Sequence, residues 1–480
     1  MVTFFLSLAV LICGYAFYSR FVERVMHVDA SRPTPAIALK DGIDYVPMPW
    51  WRVFLIQFLN IAGLGPIFGA IAGAMWGPAA FLWIVLGTVF GGAVHDYFSG
   101  MLSLKHNGKS TTELIGLYLG KYAKQIMSFF IVLLLVLVGV VFISGPAGLL
   151  AGLTPKTLDF NFWVWCIFIY YILATLLPID KIIGKIYPLF GLALLFMAVS
   201  LIVALMIKGY HIPELTFDNW KNFHNQPERF PIFPMLFITI ACGAISGFHS
   251  TQSPLMARCL KNEKEGRKVF YGAMVAEGVV ALIWAAIGMS FFGGIEQLNE
   301  TMLAQNGNAA WVVNRVSNTL LGKFGALLAI LGVVAAPVTS GDTAFRSARL
   351  TIADWTKTSQ KPIRNRLLIT IPLFAVGFLL TKINFDIIWR YFAWANQTLA
   401  TVVLWAISLF LLQKKRPLYL ISLLPALFMT TVVTSYILIA PEGFSLPHPF
   451  SYGIALLLTC SLLLLFLKFA KKEHSRLKTP

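Results

Sequence analysis

The sequence predicts an all-α polytopic membrane protein whose core is a five-plus-five inverted repeat with discontinuous helices. Three observations predict it. First, 58% of the 480 residues are hydrophobic and only 12% are charged, about half the charged share of an ordinary soluble chain. Second, the apolar residues fall into thirteen runs long enough, or nearly so, to cross a hydrocarbon core that needs roughly 20 residues of helix. Third, two of those runs, five apart, are interrupted by glycine, proline and polar residues.

Taken in order, span 1 covers 3–19, span 2 52–76, span 3 79–104, span 4 125–151, span 5 160–178 and span 6 186–207. Span 7 covers 231–256, span 8 269–292, span 9 324–343 and span 10, the shortest, 367–381. Spans 11, 12 and 13 cover 387–412, 417–439 and 449–469. Residues 3–19 lack a basic start and a small-residue cleavage site, so they read as a retained span. Thirteen spans place alternate loops on opposite sides. Thirty of the 38 Lys and Arg residues then fall on one side, that of the odd-numbered loops and the C-terminal tail. Basic loops stay in the cytoplasm, so the N-terminus is expected outside and the tail inside. The net charge of +17 belongs to these loops and does not indicate nucleic-acid binding.

Span 2 contains Asn60-Ile61-Ala62-Gly63-Leu64-Gly65-Pro66. Proline has no amide hydrogen and clashes with the preceding turn, and the two glycines lower helix propensity further. Span 7 runs Ala241-Cys242-Gly243-Ala244-Ile245-Ser246-Gly247-Phe248-His249-Ser250-Thr251-Gln252-Ser253-Pro254, a polar stretch at membrane depth. Irregular backbone survives there only where protein shields it or a wet cavity receives it. Broken helices at matching positions of two halves point to a transporter binding site. Because five is odd, spans 2–6 and 7–11 run in opposite senses. The expected organisation is an extra span and loop (1–49), a first repeat (50–208), a second repeat (209–412), and two accessory spans with a basic tail (413–480). Gly65, Gly69, Gly73 and Gly77 form a separate small-residue stripe that suits close helix packing.

Five stretches carry a resemblance to a known family. They are Asp41-Gly42-Ile43-Asp44-Tyr45, Ile61-Ala62-Gly63-Leu64-Gly65-Pro66, Gly92-Ala93-Val94-His95-Asp96, Gly243 to Arg258, and Val338-Thr339-Ser340-Gly341-Asp342-Thr343-Ala344-Phe345-Arg346-Ser347. The chain resembles the carbon starvation protein A family over roughly residues 20–355. That resemblance implies a bacterial inner-membrane transporter linked to peptide and pyruvate uptake. It also implies the LeuT-like inverted repeat of the amino acid–polyamine–cation superfamily. Ile56-Gln57 stands where many relatives carry a His-His pair.

The broken helices offer N–H groups to a carboxylate. Gln57, Asn60, Gly63, Gly65, Ser246, Gly247, His249, Ser250, Thr251 and Gln252 are therefore the candidate substrate-binding residues. Charges inside spans are costly and mark function. Glu277 or Asp96 reads as the carrier of a coupling proton; alternatively Asp96, Glu277 and Asp342 pair with Arg258 or Arg346 as a structural or gating salt bridge. His95 beside Asp96 reads as a local hydrogen bond. Ala336, Thr339 and Ser340 resemble one wall of the superfamily's sodium site, with the carbonyls of Ala62 and Leu64 as the other; such hydroxyls also commonly bond their own backbone. No phosphate loop and no H-E-x-x-H motif occurs. The five cysteines read as small buried hydrophobes with no zinc site. No cofactor is expected beyond a coupling H⁺ or Na⁺. The expected partners are a small substrate (pyruvate or peptide) and membrane lipid. The reading is a gradient-driven importer; a channel, a receptor or a membrane-embedded enzyme are the alternatives.

Overall fold

A computed structural model describes residues 1–476 apart from 43, 177–179, 218, 361 and 415–416; for 176, 180–187, 354 and 472–476 it describes the backbone alone. The end of span 5 (177–178) and the last four residues of the basic tail lie outside the described residues. All the helices needed for a multi-pass membrane protein are present. Among the described residues ten are long and apolar enough to cross a membrane, and the bent pair Trp50–Ile61 and Gly65–Trp76, counted as one span, makes an eleventh. Span 5 is the shorter apolar helix Phe160–Thr175. Span 7 consists of Ile232–Leu236, Phe237–Thr239 and, after a break, Gly247–Ala257.

Span 9 is longer than the sequence reading allowed. Gly322 separates a preceding helix that starts at Ala309 from the helix that continues to Thr356; its φ of 61° and ψ of −145° are a backbone conformation only glycine adopts at little cost. The polar residues at the flanks of the span, among them Arg346 and Arg349, kept hydropathy from extending it. The connection read as a loop over 293–323 also contains the helix Ile295–Ala304.

Packing follows a five-span shift. Span 2 packs on span 8, as span 7 packs on span 3. Span 2 packs on span 6, as span 7 does on span 11. Spans 4 and 5 pair, as do 9 and 10; span 4 meets span 11, as span 9 meets span 6. The most extensive contact, between spans 4 and 9, maps onto itself. This is the five-plus-five repeat. Spans 3 and 8 sit in its interior, with 83% of their apolar windows buried, whereas spans 1, 10 and 13 are about a quarter buried or less and turn their Leu, Phe and Ile outward.

The breaks lie at the centre. Span 2 bends by 54° between its halves. Pro66 occupies the first turn of the second half, where its missing N–H is not needed. The glycine stripe then packs against span 7: a Cβ on Gly65 would overlap Cys242, one on Gly69 would press on the Thr239 carbonyl, and one on Gly73 would overlap Ile240. Packing and discontinuity are thus one feature, since the stripe brings the two breaks together.

Candidate functional site: a buried charged chain at the broken helices

The unwound segment of span 7, from Ile240 to Ser246, is satisfied by its neighbours. Trp83 Nε1 donates to the Ile240 carbonyl (2.9 Å) and Thr88 Oγ1 to that of Gly243 (3.1 Å). Both come from span 3, which is wound into a π-helical turn over Gly87–Gly92 and approaches so closely that a Cβ on Gly92 would overlap the Ala244 carbonyl. Asn396 of span 11 caps the second half. Its Oδ1 accepts from the Phe248 amide (2.6 Å) and the Ser246 hydroxyl (3.1 Å), and its Nδ2 donates to Ser246 Oγ (2.9 Å) and Cys242 Sγ (3.3 Å). Protein thus shields the break, as irregular backbone in lipid requires.

Around this break lies a chain of fully buried ionisable groups. His95 Nδ1 lies 2.8 Å from Asp96 Oδ1, and His249 Nδ1 2.9 Å from Asp96 Oδ2. The other ring nitrogen of His249, Nε2, lies 3.5 Å from Glu277 Oε2. That is ion-pair distance without hydrogen-bond geometry. Nε2 and both Glu277 oxygens have no hydrogen-bond partner. Spans 3, 7 and 8 each supply one or two members. The local pairing of His95 with Asp96 is as the sequence reading expected.

The other predicted site residues surround the chain. Gln57 donates to Ser253 Oγ (3.2 Å), which donates to the His249 carbonyl (3.0 Å). Ser250 and Thr251 donate to the carbonyls of Gly247 and Phe248, and Gln252 to Thr251. The Gln57 and Gln252 side-chain oxygens are buried and unpartnered. Asn60 is buried, Gly63 faces the Phe142 ring, and Gly247 lies against the Asn396–Ala400 backbone. In this closed arrangement none of the ten lines the cavities described here. The larger polar cavity, about 350 Å³, sits instead beside the break. Its walls include Ala72, Met75 and Trp76 of span 2, Met235, Ile238 and Thr239 of span 7, and Trp389 and Arg390 of span 11.

Of the gate candidates, Asp342 pairs with Arg346 one turn along the same helix (3.2 Å). Arg258 does not meet the buried acids. Its Nε and Nη2 donate to the Gly108 carbonyl (3.0 and 2.8 Å), and its guanidinium stacks on Tyr45. Asp96 and Glu277 turn to His249 because that imidazole lies between them, whereas Arg258 sits beyond the end of its helix. At the sodium-type wall, Thr339 Oγ1 donates to the carbonyls of Ala335 and Ala336 (3.1 and 2.8 Å), and Ser340 Oγ is buried without a partner. The Leu64 carbonyl accepts from the amides of Ile67 and Phe68, and Ala62 is fully buried.

Sequence reasoning missed Asn396, Trp83, Thr88 and Cys242. The first three are ordinary residues of apolar spans until the break is folded against them. The cysteines also need correcting: Cys242 and Cys259 are buried, but Cys13 and Cys460 are exposed on outward faces.

The family model described as carbon starvation protein CstA matches residues 1–155 and 152–320. An uncharacterized membrane protein of Haemophilus influenzae is 42% identical over 351 residues, 63% of this chain and 95% of that protein. A Bacillus subtilis protein named peptide transporter CstA is 26% identical over 526 aligned positions, covering 89% of this chain and 88% of its own length. The Escherichia coli pyruvate/proton symporter BtsT is 28% identical over 340 residues, 58% of this chain; the chain spans about half of that relative, 47%.

Proposed function

The chain belongs to the carbon starvation protein CstA family, and from that premise we propose that it is a secondary transporter of the bacterial inner membrane. It imports a small carboxylate nutrient, pyruvate or a short peptide, by alternating access driven by a gradient of H⁺ or Na⁺. The observation that carries the reading is the pair of unwound segments packed against each other, with orphaned polar atoms of Gln57, Gln252, His249 and Glu277 buried around them. Rigid helices would need neither the breaks nor these uncompensated groups, each of which costs stability. The substrate classes come from relatives named as a peptide transporter and a pyruvate/proton symporter.

The positive-inside distribution of the basic loops supports reading the cavity beside Thr239 as outward-facing. Solute enters there, against Trp76, Trp389 and Arg390, and passes the breaks when the bundle rocks. Arg390 is paired with Asp386 (3.6 Å) and Glu442 (3.2 Å), so a solute carboxylate reaches it only by displacing one of them. The His95–Asp96–His249–Glu277 chain is the candidate path for a proton, and Ser340 with Thr339 the candidate wall for sodium.

Proteoliposomes carrying the purified chain test this. Uptake of labelled pyruvate or dipeptide is expected to saturate and to rise with an imposed pH or sodium gradient. Uptake indifferent to both gradients, or currents far above transporter turnover, would replace the importer with a facilitator or a channel.

A further inference from the structure

Three donor atoms of different chemistry converge at the break of span 7. Cys242 Sγ, an imidazole nitrogen of His249 and a carboxylate oxygen of Glu277 all lie within 4.8 Å of one another, and all three residues are buried. Their surroundings are those of metal ligands. His249 presents Nε2 toward Glu277 because its Nδ1 is held by Asp96, and Asp96 is in turn held by His95. A ligating histidine typically has its second nitrogen fixed by a carboxylate in this way. Cys242 is oriented by Asn396 Nδ2. His249 Nε2 and both Glu277 oxygens are buried with no hydrogen-bond partner, which calls for an explanation in a native interior.

We propose that Cys242, His249 and Glu277 form a site for one borderline-soft divalent transition metal ion of the Zn²⁺ class, bridging the unwound segment of span 7 to span 8. Thiolate, imidazole and carboxylate together suit such an ion and not Mg²⁺ or Ca²⁺. Bonds of about 2.0–2.3 Å in a tetrahedron set donors about 3.5 Å apart, within reach of side-chain rotation from the present separations. Three protein ligands leave a fourth position for water or a carboxylate oxygen. The ion ties a discontinuous helix to its neighbour and so holds the bundle in one arrangement; because it occupies the His249 and Glu277 atoms that would otherwise pass a proton, that path is then out of use. Only this locking and the route of entry rest on the transporter reading; the binding itself does not. Spacing in the sequence could not show the site, because Glu277 comes from another span and Cys242 and His249 are seven residues apart across the break.

Purified full-length protein, stripped with a chelator and equilibrated with Zn²⁺, is expected to retain about one ion per chain. Co²⁺ in its place should give a thiolate-to-cobalt absorption band with intense tetrahedral d–d bands. Cys242→Ser should abolish that band, and Glu277→Gln should weaken binding by at least about tenfold. Asp96→Asn should keep the band but weaken binding about 10–100-fold. Cys259→Ser, outside the cluster, should change neither. No stoichiometric ion, a cobalt spectrum without the thiolate band, or unaltered binding by Cys242→Ser would overturn the site. The wild-type spectrum decides by itself if a variant fails to fold. Gradient-driven uptake by a protein that binds no metal would end this proposal and leave the transporter standing; stoichiometric metal without uptake would do the reverse.

Discussion

At the residue scale, the environment around one histidine sets a pH dependence. His224, in the connection before span 7, packs tilted against Trp76 (4.6 Å between ring centres) and Phe230 (4.7 Å), and its Nδ1 accepts from the Gln226 amide (3.1 Å). Burial pushes its pKa down to about 4. The folded form therefore holds the neutral ring, while an unfolded histidine takes up its proton near 6.5. The stability this packing contributes is complete above that value and is lost as pH falls from about 6.5 toward 4. Protection factors of the amides over residues 222–230, corrected for the intrinsic pH dependence of exchange, should fall between pH 7 and pH 5, and His224→Gln should flatten that dependence. Equal protection factors at both pH values in the wild type would refute it. Residues such as His224 and Asn396 show where sequence reading stops. Asp96, His249 and Glu277 stand out because ionisable groups are rare in apolar spans. An asparagine in the interior of span 11 has no such contrast, and its capping role exists only once spans 7 and 11 are packed.

At the element scale, the two breaks were legible and their fit to each other was not. Gly63, Gly65 and Pro66 announce the first, and the polar stretch from Gly243 to Pro254 the second. That Gly65 lies on Cys242 could not be read from either segment alone. A side chain there must push the breaks apart. Gly65→Ala should cost about 1–3 kcal/mol, the usual range for overpacking, and reduce uptake well beyond any loss of folded protein. Gly453, in span 13, has open space where a Cβ would go. Gly453→Ala should leave uptake intact and raise thermal stability slightly, since alanine is the better helix former by about 0.5–1 kcal/mol. Thermal unfolding in detergent together with uptake checks both. Equal behaviour of the two variants would mean that the glycine stripe is incidental. Asn396→Leu belongs with Gly65→Ala. It strips the cap from the Phe248 amide and leaves Ser246 Oγ only the weak Cys242 thiol contact, at about 1–3 kcal/mol.

At the scale of the whole molecule, the repeat makes the two ends of the bundle comparable, and they differ. One end holds the cavity beside Thr239. At the other, the helix that follows the second break ends in Arg258, which clasps the Gly108 carbonyl after span 3 and covers Tyr45, while Thr111 donates to the Ser250 carbonyl. Span count and loop charge lead to the expectation that this end is the basic, cytoplasmic one. They could not foretell that Arg258 would bind a backbone carbonyl, because that depends on where the turn after span 3 falls. Two hydrogen bonds from a cation are worth about 1.5–3 kcal/mol each, enough to bias a rocking equilibrium by a factor of ten or more. Arg258→Ala should therefore open this end. The neighbouring Cys259 reports on it, since burial pushes its thiol up to about 11 and keeps it inert in the closed state. In inside-out vesicles, a membrane-impermeant thiol reagent should label Cys259 at least about tenfold faster in Arg258→Ala than in the wild type, read from the mass of the peptide that contains it. Arg258→Lys should fall between, because an ammonium cannot make the paired bond of a guanidinium. Unchanged labelling in Arg258→Ala would show that helix packing alone closes this end and that Arg258 is not its latch.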